Sequence, residues 1–159
     1  MDFKVLATRG VGGYRQYRIP AMAVTPSGKV IAIYDGRVDL DDLPGPIELV
    51  FRTSLDNGNT WSSQEIFLRG DGITGYGDAS ILIDPTIGKY GRILVFSQKS
   101  QLASFFESCL GSEIDNPEIV HISLSISDND GLTWSHRIIT DQLKDSVTHG
   151  IFASSGMGG

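Results

Sequence analysis

The chain has one cysteine, Cys109, in 159 residues, which excludes an internal disulfide framework and any cysteine-rich metal site. Histidine is nearly as scarce. His121, His136 and His149 lie far apart, so no zinc-ligand spacing is present, and they read as structural residues; no metal or cofactor is expected. Positive charge is also short, with 13 Lys and Arg against 19 Asp and Glu for a net charge of −6, which argues against a nucleic-acid partner. No apolar run approaches the roughly 20 residues of a membrane span, and Met1-Asp2-Phe3-Lys4 lacks the apolar core of a signal peptide. What is present is an ordinary globular composition, 40% hydrophobic and 20% charged, long enough for a sizeable core.

Short apolar alternations separated by turn residues predict an all-β chain. The expected strands run over 18–25, 29–35, 47–54, 62–68, 79–84, 92–97, 120–127 and 134–140, with a hairpin at Pro26-Ser27-Gly28. Residues 100–117 break the strand period and read as a long loop, with room for a helical turn.

One motif occurs twice. Ser54-Leu55-Asp56-Asn57-Gly58-Asn59-Thr60-Trp61 returns as Ser127-Asp128-Asn129-Asp130-Gly131-Leu132-Thr133-Trp134, a spacing of 73 residues (127 − 54). Both copies read Ser-x-(Asp/Asn)-x-Gly-x-Thr-Trp. Each is expected to build the same turn: the Asp or Asn side chain bonds backbone two residues on, Gly supplies a positive φ, and the indole covers the turn. These residues shape hairpins and carry no chemistry. With one such turn per antiparallel set, the pattern predicts propeller blades, each a four-stranded sheet, and 159 residues suffice for about two to three of them.

Chemistry enters at Tyr17-Arg18-Ile19-Pro20 and, further along, Tyr34-Asp35-Gly36-Arg37 with the acids Asp39, Asp41 and Asp42. A guanidinium held beside a proline-stiffened strand can grip a carboxylate through two parallel hydrogen bonds. A carboxyl group next to a second arginine, in a shielded pocket, can serve as a proton donor. Taken singly, each of these is as well explained by an edge-strand arginine and a solvated acidic turn.

Together, Tyr17 to Pro20, the Tyr34 to Arg37 turn, Leu43-Pro44-Gly45-Pro46, the two repeated turns, Gly77-Asp78-Ala79-Ser80 and Phe152-Ala153-Ser154-Ser155-Gly156 resemble the sialidase (neuraminidase) family, in particular bacterial exo-α-sialidases. In that family the repeated turns are known as Asp boxes; the second departs from the pattern by carrying Asn129. The resemblance implies the N-terminal two to three blades of a six-bladed propeller. It implies retaining hydrolysis of terminal sialic acid with a tyrosine nucleophile. Matched motif by motif, Arg18 corresponds to the first member of the arginine triad on the sialic carboxylate, and Arg37 to a contact near the ring hydroxyls. Asp42 corresponds to the acid/base, Asp78 to a substrate-binding acid, and Leu102 to an apolar residue near the N-acetyl group. Asp39 and Asp41 stay rivals of Asp42, since three acids within four positions make the match sensitive to one gap.

The family's other two arginines, its glutamate base and its tyrosine are expected beyond Gly159, so the isolated chain is expected to be inactive. It is also expected to expose an apolar blade face and to self-associate. Sialic acid-containing glycans are the implied partners, and secretion or the cell surface the implied location, with the cytoplasm as the other choice. The competing readings are a non-catalytic propeller that binds glycans or proteins, and a glycosidase for another sugar; the first needs no proton donor near Arg37, the second no carboxylate clamp at Arg18.

Overall fold

The computed structural model describes residues 3–144; His149 and the Phe152-Ala153-Ser154-Ser155-Gly156 segment lie outside the described residues. Eight strands form two four-stranded antiparallel sheets. β1 (Gln16–Val24), β2 (Val30–Arg37), β3 (Ile47–Ser54) and β4 (Glu65–Leu68) make the first, in sequence order; β5 (Gly75–Asp84), β6 (Arg92–Ser100), β7 (His121–Ser127) and β8 (Ser135–Ile138) make the second. The meander order puts β1 and β5 on the inner edges of two adjacent propeller blades.

The core lies between the sheets. Ile31, Ile33 and Leu49 of the first sheet meet Ala79, Ile81, Ile93 and Val95 of the second, all buried. Strand alternation explains which residues go there, because side chains at i and i+2 share a face. Each fully buried Ile, Leu or Val among them stabilises the fold by about 1.5–3 kcal/mol. Phe51, Phe67 and Trp134 extend this core outward in edge-to-face contacts. On the other faces, Met22 and Val24 of β1 and Leu82 of β5 are exposed.

The two repeated turns fold alike, through different bonds from those expected. Ser54 Oγ accepts from Gly58 N (2.8 Å), while Asp56 reaches four residues on, its Oδ1 accepting from Thr60 N (2.8 Å) and Oδ2 from Thr60 Oγ1 (2.6 Å). In the second turn Ser127 Oγ takes Gly131 N (2.9 Å) and Asn129 Oδ1 takes Thr133 N (2.9 Å). Here the last bond is reversed: Asn129 Nδ2 donates to Thr133 Oγ1 (2.8 Å). It is thus the serine, not the Asp or Asn, that bonds backbone two residues on, at Asp56 N and Asn129 N (3.4 Å each). Asn57-Gly58 and Asp130-Gly131 both take positive φ, the conformation of tight hairpin turns. Each indole closes its turn, Trp61 Nε1 on Gly58 O and Trp134 Nε1 on Gly131 O. The second turn also ties the blades together, because Asp130 accepts from Ser27 Oγ (2.9 Å) and pairs with Lys29 Nζ (3.1 Å) in the β1–β2 hairpin.

Two expected strands are shorter than their sequence runs. The run 62–68 is strand only from Glu65, and 134–140 ends at Ile138 because Ile122 N bonds the Thr140 hydroxyl (3.0 Å), freeing the backbone to turn into a short helix, α1 (Thr140–Leu143). Segment 101–120 is a loop that pairs with itself, through Leu102 N to Pro117 O and Cys109 N to Glu118 O. His121 and His136 sit on β7 and β8.

Candidate active site

The inner strands are both interrupted. Pairing of β1 with β2 slips between Arg18 and Ala21, where Ile19 takes φ 49° and Pro20 removes a ladder donor. Pairing of β5 with β6 slips between Gly77 and Ser80, where Asp78 takes φ 54°. Bulges re-aim side chains, and here the two lie on facing edges.

Arg18 stands opposite Asp35 in the register, at the start of its bulge. Its guanidinium is 3.8 Å from Asp42 Oδ2, with about half of its side chain exposed. It also borders an apolar hollow of about 490 Å³ formed with Leu6, Ala7, Tyr17, Pro20 and Met22. Arg37, by contrast, is buried. Its Nε and Nη2 donate to Asp35 Oδ2 (3.2 and 2.7 Å), and Nη1 donates to Asp41 O (3.2 Å) and lies 3.2 Å from Asp42 Oδ1.

The three acids of the turn separate by geometry. Asp39 Oδ1 accepts from Asp41 N (3.1 Å), and Asp41 offers its backbone oxygen to Arg37. Only the Asp42 carboxylate, among these three, spans two arginines, and it is 65% exposed. The turn that carries it continues into Leu43, whose side chain is buried and packs toward β5: an added methyl at Gly75 would stand 2.6 Å from Leu43 Cδ2.

Asp78 receives Gln98 Nε2 on Oδ2 (2.9 Å), and its backbone N–H donates to Asp35 Oδ1 (3.1 Å). Burial pushes its carboxyl upward, the Asp42 charge adds to this, and the Arg37 and Arg18 guanidiniums oppose it, so all four groups share one electrostatic neighbourhood. Leu102 lies to the side, exposed, on a hollow of about 370 Å³ that it shares with Pro44, Gly45, Pro46 and Ile73. The structure therefore brings Arg18, Arg37, Asp42 and Asp78 together, and places Leu102 on the flank of the loop that bears Asp42.

Asp35 was not singled out by sequence. It is wholly buried, and burial raises its carboxyl to about 6, against the lowering influence of the Arg37 guanidinium. The signal for it is an acid in the apolar run of β2, two residues before an arginine. Among the described residues no group of His, Cys, Asp and Glu could hold a metal ion.

Two four-stranded antiparallel blades, with a cluster of arginines and aspartates where they meet, define a part of a β-propeller. No family model matches the sequence. A sialidase of Micromonospora viridifaciens is 40% identical over 157 residues, 96% of this chain and 24% of that protein. A sialidase of Bacteroides fragilis is 28% identical over 152 residues, 89% of this chain and 28% of that one. Among solved structures, a Hadza microbial sialidase superposes with a TM-score of 0.75 at 31% identity, over 86% of this chain and 28% of that one. The chain belongs to the sialidase family, and it spans about a quarter of the length of the curated relatives it matches.

Proposed function

We propose that these residues form the N-terminal part of the catalytic propeller of a retaining exo-α-sialidase, contributing the first carboxylate-gripping arginine and the general acid. The observation that carries the reading is the Asp42 carboxylate between Arg18 (3.8 Å) and Arg37 (3.2 Å): a proton donor beside a cationic clamp.

Arg18 has the exposure and the fork geometry to take a sugar carboxylate bidentately. With the acid group so anchored, Asp42 donates its proton to the glycosidic oxygen as the bond from that oxygen to the anomeric carbon breaks. The leaving alcohol departs neutral. A tyrosine nucleophile, as the family uses, forms the bond to the anomeric carbon. Asp42, now a carboxylate, then takes a proton from the water that releases the sugar with its configuration retained. The tyrosine, its glutamate base and two further arginines are assigned to none of the 159 residues here, so the isolated chain turns over no sialoside in this reading. Asp78 contributes to substrate binding, and Leu102 supplies apolar surface for the N-acetyl group. Secretion or cell-surface attachment belongs to the same reading; among the described residues no helix is long and apolar enough to cross a membrane. The exposed Met22 and Val24 on one outer face and Leu82 on the other support self-association of the isolated chain.

A propeller that merely binds glycans has no use for a proton donor, and this separates the two readings. In the full-length protein, Asp42→Ala is expected to lower turnover of natural sialosides by about 10²–10⁴-fold and to spare substrates with an activated phenol leaving group, which depart without a proton. Equal losses on both substrates would remove Asp42 as the acid, and the same selective loss in Asp39→Ala or Asp41→Ala would move the role there.

A further inference from the structure

We propose that Asp35 is a positioning residue for this site: one buried carboxylate that fixes Arg37, the acid-bearing turn and the Asp78 bulge relative to one another, and balances the charge of Arg37 so that Asp42 keeps its proton-donating character. The proposal rests on the sialidase reading above and assigns a role to a residue that meets no substrate.

The bonds divide by oxygen. Oδ2 takes Arg37 Nε and Nη2, and Oδ1 takes the backbone N–H of Asp78 in the other sheet. Arg37 then uses Nη1 on Asp41 O and Asp42 Oδ1. A chain of contacts thus runs from the β5 bulge through Asp35 and Arg37 to the acid. Asp35 and Arg37 are i and i+2 on β2, so strand geometry points them to the same side, and Asp35 pairs in register with Arg18. The β5 backbone lies directly against this carboxylate: a methyl on Gly77 would stand in ordinary contact with Asp35 Oδ2 (3.5 Å) and Leu43 Cδ1 (3.6 Å).

Charge gives the arrangement a second consequence. Asp35 faces Arg37 on its own strand and Asp78 on β5; Asp42 faces Arg18 on β1, Arg37 on β2 and Asp78 on β5. If Asp35 loses its charge, Arg37 is left buried with Asp42 as its counter-charge. An uncompensated guanidinium favours the charged form of the carboxylate it touches, and a carboxylate that prefers to stay ionised is a weaker acid catalyst.

The decisive variant is Asp35→Asn, which keeps size and one acceptor while removing charge. In the full-length protein it is expected to lower kcat/KM for natural sialosides at least about tenfold more than for activated aryl sialosides. The alkaline limb of the pH profile for natural sialosides is expected to move to lower pH. Equal loss on both substrates with an unmoved profile, or no loss, overturns the proposal. Should Asp35→Asn not accumulate folded, Asp35→Glu carries the same test, since it keeps the charge and displaces it by a methylene: selective loss supports positioning and uniform loss overturns it. An inactive wild-type protein would instead sink the sialidase reading. The anchoring is then read by NMR on the chain itself. Arg37 Nε–H and Asp78 N–H are expected to be protected from exchange in the wild type, with protection falling in Asp35→Asn; fast exchange of both in the wild type overturns the anchoring.

Discussion

Ile19 and Asp78 occupy matching places in successive blades: each takes positive φ, 49° and 54°, inside the register slip of its blade's inner strand. For a β-branched residue such as Ile19 this conformation is rare, and strain of this kind persists where the surroundings over-determine it. Both slips lie beside candidate ligand-binding groups, Arg18 at one and Asp78 itself at the other.

Arg18→Lys keeps the charge and loses the fork. In the full-length protein the Michaelis constant for sialosides is expected to rise about ten- to a hundredfold, as for loss of a charge-assisted hydrogen bond. Steady-state kinetics on a fluorogenic sialoside measures this, and an unchanged constant takes Arg18 out of the site.

Asp35 also couples stability to pH. Its carboxyl is raised to about 6 in the fold from 3.8, so the folded protein holds this proton more tightly than the unfolded chain. The associated stabilisation is complete below about pH 4 and is lost as pH rises through 6. Relative to Asp35→Asn, which does not titrate, the wild type is expected to lose roughly 3 kcal/mol between those limits. Urea unfolding of both proteins at pH 4 and 7.5 gives the difference; a constant gap between them contradicts it.

Asp56→Asn is expected to be mild, because Asn129 already serves in the same turn position of the second blade. Thr60 Oγ1 would reverse from donor to acceptor, as Thr133 does. Asp56→Ala, which strips Thr60 N and Oγ1 of their partner, is expected to lower the melting temperature by several degrees where Asn leaves it within about 2 °C. The Asp56 carboxyl lies down at about 2, held there by the Thr60 hydroxyl and amide, so its contribution is present above pH 4 and fades only as pH falls towards 2. Calorimetry of the two variants at neutral pH suffices.

Gly36→Ala tests the packing between Asp35 and Arg37. A methyl there would stand 2.9 Å from two ring carbons of Tyr14, whose hydroxyl is tied to Glu48 and whose ring is buried. The ring cannot yield cheaply. A loss of about 1–3 kcal/mol is expected in chemical denaturation, the usual cost of overpacking. A neutral outcome would mean that Tyr14 moves freely.

The strands were legible in the sequence because alternating apolar residues and Gly-rich turns encode them directly, as in Ile31 and Ile33 against Ile93 and Val95. Four of the five candidate site residues come together because their motifs mark local breaks in the strands: Arg18 and Asp78 at the two inner-strand bulges, Arg37 at the end of β2 and Asp42 in the turn that follows. What sequence did not supply was long-range pairing. Asp35 looks like a strand-end acid until the fold places Asp78 N beside it from 43 positions away. Asp130 looks like a turn residue and proves to hold Lys29 of the other blade. The end of β8 depends on one hydroxyl, Thr140, reaching Ile122 N, and side-chain substitution for a ladder bond leaves no periodic trace.

The position of Asp42 alters what affinity means at this site. Arg18 already has a carboxylate at 3.8 Å, supplied by the protein. On the proposed reading, a sugar acid arriving there enters by exchange of one anion for another, so its measured affinity would be a difference between two contacts and understate the strength of either. On the same reading, Asp42 gives up only the Arg18 contact and keeps Arg37 (3.2 Å) and the Leu43 N–H (3.0 Å) on its other oxygen, so the acid-bearing turn stays anchored while Arg18 changes partner.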